Sequence, residues 1–276
     1  MIIFNGISSD EVGVIVEHYP RVIFPKRKVE VYNVPGRNGD RIIDQEVYEN
    51  YDQPYEIFLE SKDRGGLEAT IPKIASWLLS GTGYRRLEDS YFPEFYRMAY
   101  VPDAHEFLSY FNEYGRGTLK FNCMPERWYK SGETEIQVEN GQILYNPSGF
   151  RARPLLRNGG NTSLENVTFT YLDELKEGYY SSDWTPGIEG GGSTAITEGN
   201  PGVSYTFKWP NLTNGYIDAK EHTQYRYFKS NASDPYTKSY SNNFTGDYEK
   251  IYLSKRTKIE WDNSGILYIT PRWWSI

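Results

Sequence analysis

Thr70-Ile71-Pro72-Lys73-Ile74-Ala75-Ser76-Trp77-Leu78-Leu79-Ser80-Gly81 is the stretch whose period decides the reading of this chain. Ile71, Ile74, Ala75, Leu78 and Leu79 recur at the three-and-four spacing that lines one face of a helix. Thr70 is placed to cap the start, Pro72 falls in the first turn, where a missing N–H costs little, and Gly81 supplies the stop. A helix over about 70–80 is expected, its apolar stripe packed on a sheet.

The flanks have the other period. Upstream, Val29 and Val31 alternate with Lys28 and Glu30, and Tyr55, Ile57 and Leu59 alternate with Glu56, Phe58 and Glu60. Downstream, Tyr96–Val101 and Thr118–Cys123 read as two more strands. One helix among strands predicts an α+β domain. A polar joint, Lys130-Ser131-Gly132-Glu133, marks its end, which divides the chain into residues 1–132 and 133–276. A length of 276 residues independently favours two domains. Beyond the joint, Val167, Phe169 and Tyr171, then Tyr205, Phe207 and Trp209, then Ile251–Leu253 read as short strands. Turn clusters at 158–161, 190–193, 200–202 and 214–215 separate them, so an all-β sandwich is expected. The 25 Tyr, 13 Phe and 7 Trp suit pleated surfaces and interfaces.

Composition removes several classes of function. A net charge of -7 argues against duplex binding, which needs a basic face. No apolar run approaches the roughly 18 residues of a membrane span. Residues 1–16 include Asn5, Asp10 and Glu11 and lack the pattern of a secretory signal, so synthesis in a cytoplasm is expected. The sequons at Asn161, Asn166, Asn211, Asn231 and Asn243 are accordingly read as polar edges and loops. The single cysteine, Cys123, lies between apolar neighbours and reads as a buried thiol. His18, His105 and His222 form no ligand-spaced pair, so no metal or other cofactor is expected. Gly190-Gly191-Gly192 is followed by Ser193 and Thr194 rather than Lys, which makes it a loop and not a phosphate cradle. Pairs such as Asp173 and Glu174 read as solvated acids, and no catalytic residue stands out.

One polar constellation concerns sugars. His222, Gln224 and Arg226 alternate on an expected strand and resemble the His-x-Asn-x-Arg strand of galectins, with Gln224 in the Asn position. The accompanying Trp-x-x-Glu-x-Arg segment is missing. These three are the sugar-facing candidates, and the expectation is that no sugar binds through them.

Several short motifs occur in a fixed order. Phe4-Asn5-Gly6-Ile7-Ser8-Ser9 opens the chain, followed by Val34-Pro35-Gly36-Arg37-Asn38-Gly39-Asp40 and Trp77-Leu78-Leu79 with Gly83-Tyr84-Arg85-Arg86-Leu87. Tyr96-Arg97-Met98-Ala99-Tyr100, Gly115-Arg116-Gly117, the run Phe121–Trp128 and the terminal Thr270-Pro271-Arg272-Trp273-Trp274 follow. Together they resemble the distal tail protein family of long, non-contractile-tailed phages and prophages of Gram-positive bacteria. The resemblance rests on the first 130 residues; over 135–265 it is one of length and β-texture.

That resemblance implies a non-enzymatic virion protein of the phage tail tip, made in the host bacterial cytoplasm. The first domain would form a homo-hexameric ring and the second a galectin-like sandwich projecting from it. The implied partners are the tail tube protein and a tail-associated hub or lysin protein, with the tape measure and receptor-binding proteins as further candidates. No nucleic-acid sequence recognition and no membrane insertion are implied. A ring needs unlike faces that fit each other. Val34, Pro35, Gly36, Arg37 and Gly39 make a shaped turn with a projecting guanidinium, and an arm over Asp44–Asp52 carries Tyr48 and Tyr51. These residues are the expected subunit interface. The rival expectation from another class is a carbohydrate-binding module or glycan-active protein acting on host cell-wall sugars.

Overall fold

The computed structural model describes residues 1–36, 38–60, 66–102, 107–110, 114–160, 162, 164–174, 203–210, 215–228, 236–240 and 244–276. Contacts divide the chain into two compact units, Met1–Lys130 with Ser275–Ile276, and Ser131–Trp274. Among the described residues the fold is mostly β, with one α-helix.

The first unit begins with strands β1 (Ile2–Phe4), β2 (Ile7–Ser8), β3 (Val14–Val16), β4 (Arg27–Tyr32), β5 (Arg41–Tyr48) and β6 (Tyr51–Glu60). Helix α1 (Leu67–Leu79) follows, then β7 (Arg85–Asp89), β8 (Phe95–Tyr100), β9 (Phe107–Tyr110) and β10 (Tyr114–Tyr129). Its main sheet has the order β2-β1-β7-β8-β10-β6-β3, with β9 also paired to β10. The 16-residue β10 organises it. One edge of β10 pairs with β6 from Tyr114 opposite Glu60 to Cys123 opposite Tyr51, and the other pairs with β8. On β6, Tyr51, Gln53, Tyr55, Ile57 and Leu59 all face inward, as period-two burial requires. They meet Ile2, Phe4, Val14, Leu87, Leu119 and Phe121 in one core. Each fully buried Ile, Leu or Phe contributes about 1.5–3 kcal/mol relative to exposure.

A buried polar anchor crosses that core. Asp89 accepts hydrogen bonds from Arg97 Nη1 at 2.9 Å and the Tyr55 hydroxyl at 3.1 Å. Its other oxygen accepts from the backbone N–H groups of Tyr91 and Phe92 at 3.1 and 2.8 Å, so the carboxylate has partners on both sides. Burial first, and then the Asp89 charge, push the Tyr55 hydroxyl well above its ordinary range.

Helix α1 corrects the sequence reading in two respects. It starts at Leu67 after Gly66, so Thr70 is not the cap; its hydroxyl donates to the Gly66 carbonyl at 3.3 Å from inside the helix. Pro72 therefore lies in the second turn, where it cannot donate the bond back to Glu68. The buried face comprises Leu67, Thr70, Ile74, Trp77 and Leu78, while three of the expected stripe are exposed, Ile71 at 43%, Leu79 at 62%, and Ala75. Trp77 explains the rotation. Its indole N–H donates to the carbonyls of Phe4 and Ile7 at 3.1 and 3.2 Å, which fixes the largest ring of the helix against β1 and β2.

The second unit contains β11 (Ile136–Val138), β12 (Ile143–Tyr145), β13 (Leu155–Asn158), β14 (Asn166–Tyr171) and β15 (Val203–Lys208). It continues through β16 (Tyr216–Asp218), β17 (Thr223–Phe228), β18 (Thr237–Tyr240), β19 (Arg256–Trp261) and β20 (Leu267–Thr270). One sheet has six strands, β11-β20-β13-β16-β17-β18, and another has four, β12-β19-β14-β15. Leu156, Ile217 and Ile269 are buried on the first, and Val167, Phe169, Tyr171 and Ile259 on the second. The expected strand at Ile251–Leu253 is instead a buried irregular segment with a single bridge, Leu253 to Ala152. Arg272 closes the unit with a two-pronged contact to Asp218 at 2.6 and 2.8 Å.

Candidate assembly surface

β4 and β5 form a two-stranded sheet that pairs with no other strand among the described residues. Register places Val31 opposite Ile42 and Val29 opposite Asp44, so Val29, Val31 and Ile42 share one face. Val31 is 55% and Ile42 64% exposed, and Ile43 and Tyr32 on the reverse face are exposed as well. Two strands alone are marginal in water, and an exposed apolar patch on such a ribbon is a candidate contact surface. The segment before β4 also carries exposed apolar residues, Tyr19, Val22 and Phe24, with Phe24 at 72% and Tyr19 packed edge-on against Tyr91 and Phe92.

Polar contacts hold the ribbon in shape. Arg27 pairs with Asp44 across the strands and lies 5.9 Å from the Tyr48 ring centre. The Tyr32 hydroxyl donates to Glu30 at 2.6 Å and the Gln45 amide donates to it at 2.7 Å. Those two bonds, Tyr32's first, lower the Glu30 carboxyl below its ordinary value. At the tip, the Asn33 amide donates to Asp40 at 3.4 Å across a turn in which Gly36 and Gly39 take φ of +81° and +83°. Glycine suits both positions because an added Cβ is strained in that region. At the base, Asn50 donates to the Tyr84 hydroxyl at 2.5 Å and to Asn122 at 2.7 Å, tying the ribbon to the main sheet.

No family model matches the chain, and no curated protein matches it. Among solved structures, the crystal structure of the SPP1 Dit protein has a TM-score of 0.63 at 12% identity. The match covers 97% of this chain and 96% of that one, and Dit is described there as a paradigm of the hub adsorption apparatus of phages infecting Gram-positive hosts. The fold is that of the SPP1 Dit protein. The phage P2 baseplate in its activated conformation with Ca also aligns, over 93% of this chain and 90% of that one, with a TM-score of 0.43 and 10% identity.

Within this distal tail fold the sequence-expected residues scatter. Val34, Pro35, Gly36 and Gly39 occupy the exposed tip of the ribbon, and Arg37 lies outside the described residues. Tyr48 is half-buried at the ribbon base. Tyr51 is on β6, 7% exposed within the core, so its ring offers no contact surface. The expected arm Asp44–Asp52 is thus two elements, the end of β5 and the start of β6, separated at Asn50. Sequence reasoning missed Ile42, Ile43 and Val47; the consecutive pair Ile42-Ile43, which puts one apolar side chain on each face of a strand, was the available signal.

The sugar-facing candidates are not gathered on one open face. His222 sits in the turn before β17 with φ +50°, stacked 5.5 Å from Tyr248 and 3.0 Å from Glu249. Gln224 is 2% exposed, while Arg226 is exposed further along β17. Cys123 is buried, and that burial pushes its thiol up to about 12, which keeps it protonated at neutral pH.

Proposed function

We propose that this chain is a structural protein of a phage tail tip, located in the virion and acting by assembly rather than catalysis. In this reading residues 1–132 form a homo-hexameric ring joining the tail tube to the tip hub or baseplate. Residues 133–276 form a galectin-like sandwich, with the six- and four-stranded sheets as its two layers, that carries or spaces other tail proteins. The observation that carries the reading is the end-to-end match with SPP1 Dit, at 97% and 96% coverage.

The β4–β5 ribbon supports it from a separate direction. A closed ring uses a heterologous interface, in which an element projecting from one subunit is received by a different face of the next. A ribbon with exposed apolar residues on both faces has the form such an element needs.

The test is electron microscopy of the purified full chain across concentrations, together with immunogold labelling of tailed particles. Six-fold rings and label at the tail end distal to the capsid are expected. Label elsewhere on the particle, or a strict monomer that binds a cell-wall sugar saturably, would replace this reading with the carbohydrate-binding one.

A further inference from the structure

A second candidate docking point lies in the first unit at the C-terminal end of α1. Here a cavity of about 250 Å³ is lined by Phe4, Trp77, Leu78, Leu79, Val101 and Arg85, among others. Leu79 is 62% exposed, while Phe4, Trp77 and Leu78 are buried core residues, so the cavity opens directly onto core side chains.

Arg85 is the one cation of the lining. Its Nε is sealed from solvent and has no acceptor, and no carboxylate among the described residues pairs with it. The adjacent Arg86 shows the normal outcome, bonded to Glu88 at 2.5 Å and stacked 3.8 Å from the Tyr96 ring centre. With no carboxylate opposite it among the described residues, the Arg85 guanidinium presents an uncompensated charge at the cavity wall, and its Nε is an N–H without an acceptor. The site also has a cradle. A Cβ added at Gly81 would lie 2.7 Å from the Arg85 Nη2, so glycine at that position leaves the guanidinium room beside the helix end.

We propose that this cavity receives a segment of a partner protein that seats one large apolar side chain on Trp77 and Leu78 and places a carboxylate on Arg85. Three observations select that occupant. Its volume is below the roughly 300–1,000 Å³ of sites for drug-sized molecules, which suits a single anchoring residue. The lining holds one cation, which fits a singly charged carboxylate rather than a phosphate. The ribbon of a second copy is a poorer donor, because Glu30 already bonds Tyr32 and Gln45, Asp40 bonds Asn33, and Asp44 pairs with Arg27.

The experiment titrates the full chain with N-acetyl-Gly-Gly-Leu bearing a free carboxylate, with its C-terminal amide, and with 4-methylpentanoate, by ligand-observed NMR. Saturable binding of the free peptide acid is expected, with the amide and the Arg85→Gln variant each about tenfold weaker or more. Gly81→Ala, which only displaces the flexible guanidinium, should weaken binding with the melting temperature unchanged. Equal binding of acid and amide overturns the proposal. So does an Arg85→Gln variant that loses thermal stability but binds as before, since Arg85 would then only cap the helix end. If 4-methylpentanoate binds as tightly as the peptide, the site takes free small acids. If Arg85→Gln abolishes self-association instead, the occupant is a second copy. Either result removes the partner segment.

Discussion

On β6, Tyr55, Ile57 and Leu59 are at most 1% exposed, whereas Val29, Val31 and Ile42 on the ribbon just before it are 38%, 55% and 64% exposed. Both regions alternate or cluster β-branched and aromatic residues, and both form strands. The difference is in neighbours. β6 has β10 on one side and β3 on the other, with α1 and β1 contributing to the same core, while β4 and β5 pair only with each other among the described residues. Strand-forming pattern and burial are therefore separate properties, and they part at the ribbon, the candidate contact surface.

The comparison can be broken most forcefully at Asp89. Asp89→Ala leaves Arg97 and the Tyr55 hydroxyl without their shared acceptor inside the core. A loss of about 3–5 kcal/mol is expected in the transition assigned to the first unit by urea denaturation. A loss below about 1 kcal/mol would mean that the main sheet does not depend on its buried anchor.

A middle-sized effect tests whether the second unit is held by the same kind of contact. Burial opposes the Asp218 charge, but the Arg272 contact and the N–H groups of Glu221 and Lys220 outweigh it, so its carboxyl titrates below the ordinary value. A carboxylate lowered on folding stabilises fully above its unfolded value near 3.9, and that contribution disappears as pH falls through the folded value. Asp218→Asn should therefore cost about 1.5–3 kcal/mol at pH 7 and much less in strong acid. Denaturation across pH 2–7 measures this, and a pH-independent difference would rule the linkage out.

The smallest effect on unfolding should come from the ribbon. Ile42→Asp is expected to change unfolding free energy by no more than about 0.5 kcal/mol, because the side chain is already in water. The same variant should shift the full chain from rings to monomers in mass photometry. A large drop in stability would show that the ribbon packs on its own unit, and unchanged rings would take it out of the interface.

Much of the fold was legible along the chain. The strands at Val29–Val31, Tyr55–Leu59, Tyr96–Val101 and Thr118–Cys123 were readable from period two, and helix α1 from period 3.6. Legibility failed at boundaries and faces. Tyr51 and Tyr48 are three residues apart and the same residue type, yet only Tyr51 is buried within the core. Nothing local distinguishes them, because β10 supplies the partner of Tyr51 through Cys123, far along the chain. The turn at Val34–Gly39 was recognisable from Pro and Gly chemistry, whereas the exposure of Ile42 and Ile43 was not, since apolar residues ordinarily signal a core.

What the sequence determined by itself was the set of local conformations and the absence of recognisable catalytic or metal motifs, because periodicity, turn residues and ligand spacing are properties of consecutive residues. The order of short motifs also pointed to the distal tail family, and the end-to-end structural match has that fold. Only the tertiary structure decided which faces those conformations bury. The indole of Trp77 finds its acceptors at Phe4 and Ile7, about 70 positions away, and that bond turns Ile71 and Leu79 outward. Arg85 and Arg86 are adjacent and chemically identical, and the fold gives Arg86 a carboxylate and places Arg85 in the lining of a cavity. Partners of this kind come from long-range contacts, where the free energy of burial and pairing outweighs any preference that neighbouring residues express.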